Sequence, residues 1–407
     1  MTLVMRISYV LLEFPNLTQT FVRDEMRKLI SNGVDVQVLA NIPQKGFSTK
    51  PDSQWVDVPV HYFGSYISRK AKYFSLLYFI FHAPLRTLHA YRYYTSYEST
   101  NKDIDFLIIL YLSRLALEHG TQHLHAHFSG LATEIALFIS KTTNIPYSFT
   151  THAYDIFVNP NQIEKKLTHA KFMATISQFN KNYITDKLVP NRVDLHSKIH
   201  IVHCGINTDL IRIRQPKATN NLFKIVCVGR LVEKKGIEFL IQACGLLLKK
   251  EIREFKCHII GDGPLREKLE SLTLSLGLDR HIKFIGSKDH HQTLQIMENS
   301  DVFALPCIQA SNGDMDGIPV VLMESMAMGL PTISTPISGI PELLKGCGQL
   351  CEPESPESLS TEIEKIMLMS SDELREISDL CQSKIKADFS LDTETDKLRE
   401  LFCTSGF

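Results

Sequence analysis

From residue 6 onward, short runs rich in Val, Ile and Phe alternate with longer amphipathic segments, and near residue 220 the alternation starts again. That order builds parallel sheets, because each crossover between parallel strands must pass over a sheet face, usually as a helix. The strand-like runs are Arg6–Leu12, Val34–Ala40, His123–Phe128, Tyr147–Thr151, Phe172–Ile176 and Ile199–His203, with helix-like segments such as Thr20–Asn32, Ile104–Glu118 and Ala132–Lys141 between them. The second series opens with strand Phe223–Val228, helix Ile237–Lys249, strand Lys256–Ile260 and helix Leu265–Leu276. It continues with strand His281–Ile285, helix Gln292–Glu298, strand Val302–Ala304, helix Val320–Met328 and strand Pro331–Ser334, and only helices follow residue 356. The pattern predicts an α/β protein of two Rossmann-like doubly wound domains, with a ligand in the cleft between the carboxyl ends of their strands. Residues 1–206 form the first domain in this reading, the polar, irregular stretch 207–221 the linker, and residues 222–388 the second domain. The stretch from about residue 389 reads as a terminal helix.

At 407 residues the chain is too long for a single core. Its net charge of −1 conceals an asymmetry: residues 1–215 carry +7 and the remainder −8. Nine scattered cysteines argue against a disulfide framework and for a reducing compartment. Only Cys347 and Cys351 lie close together, and no second pair or His cluster follows at zinc-ligand spacing. The apolar run near the N-terminus is too short for a signal segment, and no stretch reaches the roughly 18 apolar residues of a membrane span. A cytoplasmic protein is expected.

Two segments can carry chemistry. VGRLVEKKG (Val228–Gly236) puts Gly229 and Arg230 directly after a buried-type strand and Lys235 just before a helix. A guanidinium fork and an ammonium across one turn can converge on an anion such as a diphosphate, and a solvated Lys-rich turn is the plainer alternative. DGIPVVLMESMAMGLP (Asp316–Pro331) places Asp316 and Glu324 on either side of a Gly-Pro turn opening a helix, whose first amides can approach a phosphate. Glu324 lies among Val321, Leu322, Met323 and Met326, so a buried carboxylate with hydroxyl partners is expected there.

These two segments resemble the donor site of glycosyltransferase family 4, retaining sugar-nucleotide transferases of GT-B fold. IVHCGIN (Ile201–Asn207), IIGDGPLREKLE (Ile259–Glu270), HIKFIGSK (His281–Lys288) and SGIPELL (Ser338–Leu344) extend the resemblance over about residues 200–345. EFPNLTQTFVRDE, HLHAHFSG and FTTHAYDIF carry it more weakly toward the N-terminus and resemble an exopolysaccharide and colanic-acid subgroup, with Leu17-Thr18-Gln19 replacing the usual S-E-T stretch. The resemblance implies that Arg230 and Lys235 neutralise the donor diphosphate, that Glu324 holds the ribose hydroxyls, and that Asp316, where Glu is usual, contacts the transferred sugar. It places Gly229, Gly263, Gly286, Gly317, Ile318, Pro319 and Val320 around the donor. It places His152, Asp155, His127, Thr18 and Gln19 on the acceptor side, and it implies a terminal helix that crosses back to the N-terminal domain. The donor would be a UDP- or GDP-sugar and the acceptor a glycan or a polyprenyl-diphosphate-linked saccharide. No metal or other cofactor is expected: Asp314-Met315-Asp316 is a D-x-D of the kind that binds a divalent ion in the other large glycosyltransferase fold, but Arg230 and Lys235 already offer positive charge.

His125 and His127 alternate on one strand and share a face, which fits a structural role as well as a functional one. Residues 62–97 hold Arg69, Lys70, Lys72, Arg86 and Arg92, eight tyrosines and no acidic residue. Such a segment suits the inner leaflet of a membrane; the alternative is an amphipathic helix pair packed on the first sheet. Nucleic acid is a weaker candidate, since no recognised binding module is present and the chain as a whole is not basic. A sugar-nucleotide epimerase of the same architecture and a non-catalytic sugar-nucleotide-binding subunit are the rival readings. A nicotinamide dehydrogenase is disfavoured, because the first strand leads into Glu13-Phe14-Pro15 rather than a glycine-rich turn.

Overall fold

The computed structural model describes residues 4–16, 19–42, 58–64, 67–98, 104–214 and 222–404. These form two compact units: up to Ile176, with Lys181–His203 and the segment from Glu394, in the first, and Ser177–Asn180 with Cys204–Thr393 in the second.

The first unit is built on β1 (Arg6–Glu13), β2 (Asp35–Ile42), β3 (Val60–Tyr62), β4 (His123–His127), β5 (Tyr147–Thr151), β6 (Met173–Thr175) and β7 (Ile199–Ile201), in the order β3-β2-β1-β4-β5-β6-β7. The second unit has β8 (Phe223–Val228), β9 (Phe255–Ile260), β10 (Ile282–Gly286), β11 (Val302–Leu305), β12 (Thr332–Ser334) and β13 (Gln349–Leu350), in the order β10-β9-β8-β11-β12-β13. Every adjacent pair is parallel. The strand order reverses beside β1 and beside β8, so each unit has its switch point there, where open α/β sheets bind ligands at the carboxyl ends. The edge strands β3 and β13 have no counterpart in the sequence reading, because runs of three and two residues are too short to show a period.

Helices α1 (Thr20–Ser31), α2 (Arg69–His82), α3 (Pro84–Ser96), α4 (Phe106–Glu118), α5 (Leu131–Thr143), α6 (Ala153–Phe157), α7 (Ile163–His169), α8 (Gln178–Tyr183) and α9 (Val193–His196) belong to the first series. Then come α10 (Ile237–Lys249), α11 (Arg266–Ser275), α12 (His290–Glu298), α13 (Val320–Ala327), α14 (Ile340–Leu344), α15 (Pro356–Leu368), α16 (Ser371–Asp388) and α17 (Leu391–Thr404). None of the described helices is long and apolar enough to cross a membrane.

Strand alternation sorts the first sheet into two cores. Ile7, Tyr9 and Leu11 of β1 join Val36, Val38 and Ala40 of β2 on one face, while Val10, Leu39, Leu124 and Ala126 face the other. The first of these cores is completed by Leu398 and Phe402 of α17, which returns the C-terminal segment to the first unit. The ring of Phe402 lies 5.0 Å from that of His123 and 5.2 Å from that of His125. The stretch expected as linker is anchored in its described part. Arg214 donates to Asp301 at 2.7 Å, and its backbone N–H to the Met328 carbonyl at 2.8 Å, because a mostly buried guanidinium requires a partner. Residues 215–221 lie outside the described residues.

Phe402→Ala is expected to destabilise the protein by about 3 kcal/mol, since it removes a buried ring and leaves a cavity beside the β4 histidines. Urea unfolding of the variant against the parent measures it.

Candidate active site

In the second unit, β8 is a buried strand that ends where two loops cross. Gly229 N–H donates to the Ile260 carbonyl at 3.0 Å, Leu231 N–H to Asp262 O at 3.0 Å and Leu265 N–H to Leu231 O at 3.1 Å. A Cβ on Gly261, at φ +135°, would meet Gly229 O at 2.0 Å, and one on Gly263 would meet Leu231 O at 2.6 Å. Gly263 is therefore required by backbone crossing, and Gly286, at φ +77°, offers its carbonyl to Gly261 N–H at 3.0 Å.

Past this crossing, Glu233–Lys235 make one 3₁₀ turn, and the stem of Lys235 runs over Gly229. Lys235 Nζ meets Asp316 Oδ2 at 2.7 Å, and Lys234 Nζ meets Asp316 Oδ1 at 3.4 Å and Asp314 Oδ2 at 3.0 Å. Ser311 donates to Glu233 through N–H and Oγ, both at 2.9 Å, and clamps the acidic loop to the lysine turn. Burial alone would raise the Asp316 carboxyl, but Lys235 and Lys234 outweigh it and hold it below its ordinary value. Burial opposes the Lys235 charge as well, yet the facing carboxylate lifts that ammonium above its ordinary value. Both groups are ionised at neutral pH.

The geometry changes how two sequence-predicted residues relate. Lys235 does not stand as a spare cation beside Arg230, because Asp316 already meets its charge. Arg230 is exposed at the carboxyl end of β8, with no side-chain partner among the described residues. Lys234, which the sequence reading passed over, shares the acidic pair. Its signal was its place beside Lys235, opposite the D-x-D.

Glu324 lies on α13 with a side chain 12% exposed, and its Oε1 is 2.7 Å from His290 Nε2 at the start of α12. The hydroxyl partner expected from the sequence is replaced in the structure by an imidazole 34 residues away. Pro319 caps the helix just before Val320, and Gly317 and Ile318 are buried, with Gly317 O accepting Gly339 N–H at 3.2 Å. The first amides of such a helix have no intrahelical acceptor.

The first unit holds a second cluster. Tyr9 OH donates to Glu25 Oε1 at 2.6 Å, and the same oxygen is 3.0 Å from His127 Nε2. His127 Nδ1 is 3.2 Å from His152 Nε2. With a carboxylate as acceptor, the partners assign the proton of His127 to Nε2, so that Nδ1 accepts from His152 Nε2–H. Asp155 caps α6 by accepting the His152 N–H at 2.7 Å, and its other oxygen accepts Ser129 N–H at 2.5 Å. The His152 ring lies 4.7 Å from Phe21 and 4.5 Å from Phe128. Glu25 was missed by sequence reasoning, although a carboxylate within the apolar stripe of Phe21, Val22, Met26 and Leu29 on α1 is a readable sign. Gln19 is the N-cap residue of α1 without a side-chain cap bond, and Thr18 lies outside the described residues.

Among the described residues, Glu25, His125 and His127 bring ligand-type atoms within 4.8 Å of one another. Each nitrogen of the two rings already has a protein partner, for His125 the hydroxyls of Ser148 at 2.8 Å and Thr150 at 3.1 Å. Burial, with neighbouring histidines, pushes His125 and His152 well below the usual imidazole value, and burial with Lys171 takes His123 down to about 3. Burial also raises Asp155 to about 6, against the backbone N–H bonds that favour its charge.

The family described as Glycosyl transferases group 1 matches residues 211–379. Over 404 residues the chain is 26% identical to the putative colanic acid biosynthesis glycosyltransferase WcaL of Escherichia coli K12, covering 95% of this chain and 96% of that protein. Over 148 residues it is 38% identical to the amylovoran biosynthesis glycosyltransferase AmsK of Erwinia amylovora, 36% of each chain. A solved glycosyltransferase from Rickettsia africae superposes with TM-score 0.75 at 17% identity, covering 99% of this chain and 98% of the other. Anabaena Alr3699/HepE, solved in complex with UDP and glucose, superposes with TM-score 0.66 at 16% identity, covering 98% and 100%.

Two doubly wound parallel units, with charged groups gathered at the carboxyl ends of their strands, make a GT-B fold. Residues 211–379 match the group 1 glycosyl transferase family, and with the likeness to WcaL and AmsK this makes the chain an enzyme of the glycosyltransferase class.

Asp316→Asn is expected to cost about 2 kcal/mol, because it leaves the Lys235 ammonium in a mostly buried place without its counter-charge; urea unfolding reads it. The histidine core predicts acid lability. A histidine whose folded pKa is depressed binds its proton only on unfolding, so stability is full above about pH 6.5 and falls as the pH drops toward 3. Asp155 opposes this between its ordinary value and about 6, but His123, His125 and His152 act together against it. The urea midpoint is expected to fall from neutral pH to pH 5, and less so in His123→Gln.

Proposed function

We propose that the enzyme moves a sugar from a nucleoside-diphosphate sugar onto a saccharide acceptor, with retention of anomeric configuration, in the biosynthesis of an exopolysaccharide. The observation that carries this reading is Arg230: an exposed guanidinium without a side-chain partner among the described residues, at the β8 switch point and beside the Lys234/Lys235–Asp314/Asp316 cluster. A guanidinium there suits the diphosphate, where negative charge grows as the nucleoside diphosphate departs. Lys235 serves the same anion by sharing its proton donors between Asp316 and phosphate oxygen. The amides of Ile318, Val320 and Val321 approach the phosphate, Glu324 holds the ribose hydroxyls, and Asp316 stands at the transferred sugar. His152, neutral and held by His127, lies on the acceptor side. Catalysis in this reading comes from positioning and charge, with no protein nucleophile.

The names of WcaL and AmsK support the exopolysaccharide setting, and the Anabaena complex with UDP and glucose supports the donor class. The acceptor is a glycan or a polyprenyl-diphosphate-linked saccharide. Nine free cysteines fit the reducing conditions of the cytoplasm, where the donor would be met. No metal is called on, because Asp314 and Asp316 are matched by two lysines rather than left open for a cation.

Thermal-shift titration with UDP, GDP and their sugars tests the donor assignment, since a ligand that binds only the folded state raises its melting temperature. One nucleotide series is expected to raise it, and Arg230→Ala to reduce that shift and lower kcat/KM by about a hundredfold or more. No shift with any nucleotide sinks the donor assignment, and activity lost to EDTA and restored by magnesium sinks metal independence.

A further inference from the structure

We propose that the α2–α3 hairpin is a surface that docks face-on to an anionic lipid bilayer. The two helices are joined at Ala83, and Ser75, Phe79, Thr87 and Ala90 are their buried positions. The opposite face is apolar where a soluble protein would present charge. Tyr73, Phe74, Leu77, Ile80 and Phe81 follow one another at helical spacing on α2, and Leu85, Leu88 and Tyr91 on α3, all exposed. Phe81 and Leu85, on either side of the turn, are 77% and 73% exposed. Eight of the 22 exposed large hydrophobic residues among those described fall within residues 69–96. Scattered apolar side chains on a surface need no explanation; a contiguous set of this size does.

The charges around the patch identify the occupant. Arg69, Lys70, Arg86 and Arg92 are exposed on the same two helices, and no acidic residue occurs from 62 to 97. Arg114 of α4 sits 5.2 Å from the ring of Phe74, its own charge already met by Glu118. A protein partner would need an apolar surface ringed by acids. A bilayer containing anionic phospholipid supplies both features at once: acyl chains for Phe81 and Leu85, phosphate for the cations, and an interface for the tyrosines. At 14 and 13 residues the helices are too short to span, so the hairpin lies in the plane of the interface. The proposal goes beyond the transfer reaction and does not depend on the donor assignment.

The test is flotation of the full chain with vesicles of phosphatidylcholine alone or mixed with phosphatidylglycerol. The parent is expected to float with the mixed vesicles only, and less as salt rises. Phe81→Ser/Leu85→Ser and, separately, Arg69→Ser/Lys70→Ser/Arg92→Ser are expected to weaken partitioning by roughly a hundredfold. Both alter exposed side chains, so their melting temperatures and nucleotide-induced shifts are expected to match the parent. Failure of the parent to float overturns the proposal, as does equal flotation of parent and variants. Sedimentation velocity separates the remaining case: a dimer that dissociates in Phe81→Ser/Leu85→Ser, with no vesicle binding, makes the patch a contact between copies of the chain and also overturns it. A donor site that fails to bind nucleotide leaves the vesicle result unaffected, so the two readings fall separately.

Discussion

Burial of both faces of two parallel sheets is the constraint on which the rest of this structure depends. A strand covered on both sides has no solvated face, so a polar side chain within it must find a partner inside the protein. β4 shows the demand at work, with His123 Nδ1 alone of its ring nitrogens left without a partner among the described residues. His123, His125 and His127 all point to one side of a fully buried strand, and they persist because Ser148, Thr150, Glu25 and His152 accept or donate to them. Phe402 of the C-terminal helix then seals that side. The backbone leaves the sheets only at their ends, and charged groups collect where the strands finish.

Charge in the second unit is compensated rather than concentrated. Lys234 and Lys235 face Asp314 and Asp316, and their attraction offsets the desolvation of a mostly buried cluster without adding a surplus of either sign. Such a cluster fixes two loops against each other more than it stabilises the fold. It leaves Arg230 at the end of β8 without a side-chain counter-charge among the described residues, within a chain half whose overall charge is negative. The cluster in the first unit works by the opposite means: His125 and His152 are kept neutral by burial, and hydrogen bonds carry the order from Tyr9 and Glu25 through His127 to His152.

The α2–α3 hairpin departs from the rule followed by α1, whose apolar stripe faces inward. Its buried positions are few and mostly small, and its aromatic and aliphatic side chains turn outward. A helix pair of that kind is stable in isolation from lipid only because Phe79 and its small neighbours, with α4 and α5 behind them, supply the packing.

Much of the fold was legible because its signals are local. Strand and helix periods, the restart near residue 220 and the terminal helix follow from the spacing of apolar residues, and the glycines at 261 and 263 mark loops that no larger residue could share. The edge strands β3 and β13 carried too few residues to show a period. Arg230, Lys235, Asp316 and Glu324 were recognisable as residue types in a pattern, but their partners were not. The Lys235–Asp316 bond spans 81 positions, the His290–Glu324 bond 34 and the Glu25–His127 bond 102. Sequence by itself determined the class of fold and the residues able to carry charge. Which of those charges are already spoken for, and which histidine holds which, was decided only when the sheets brought distant strand ends together, because a hydrogen bond depends on separation in space and a sequence motif records only separation along the chain.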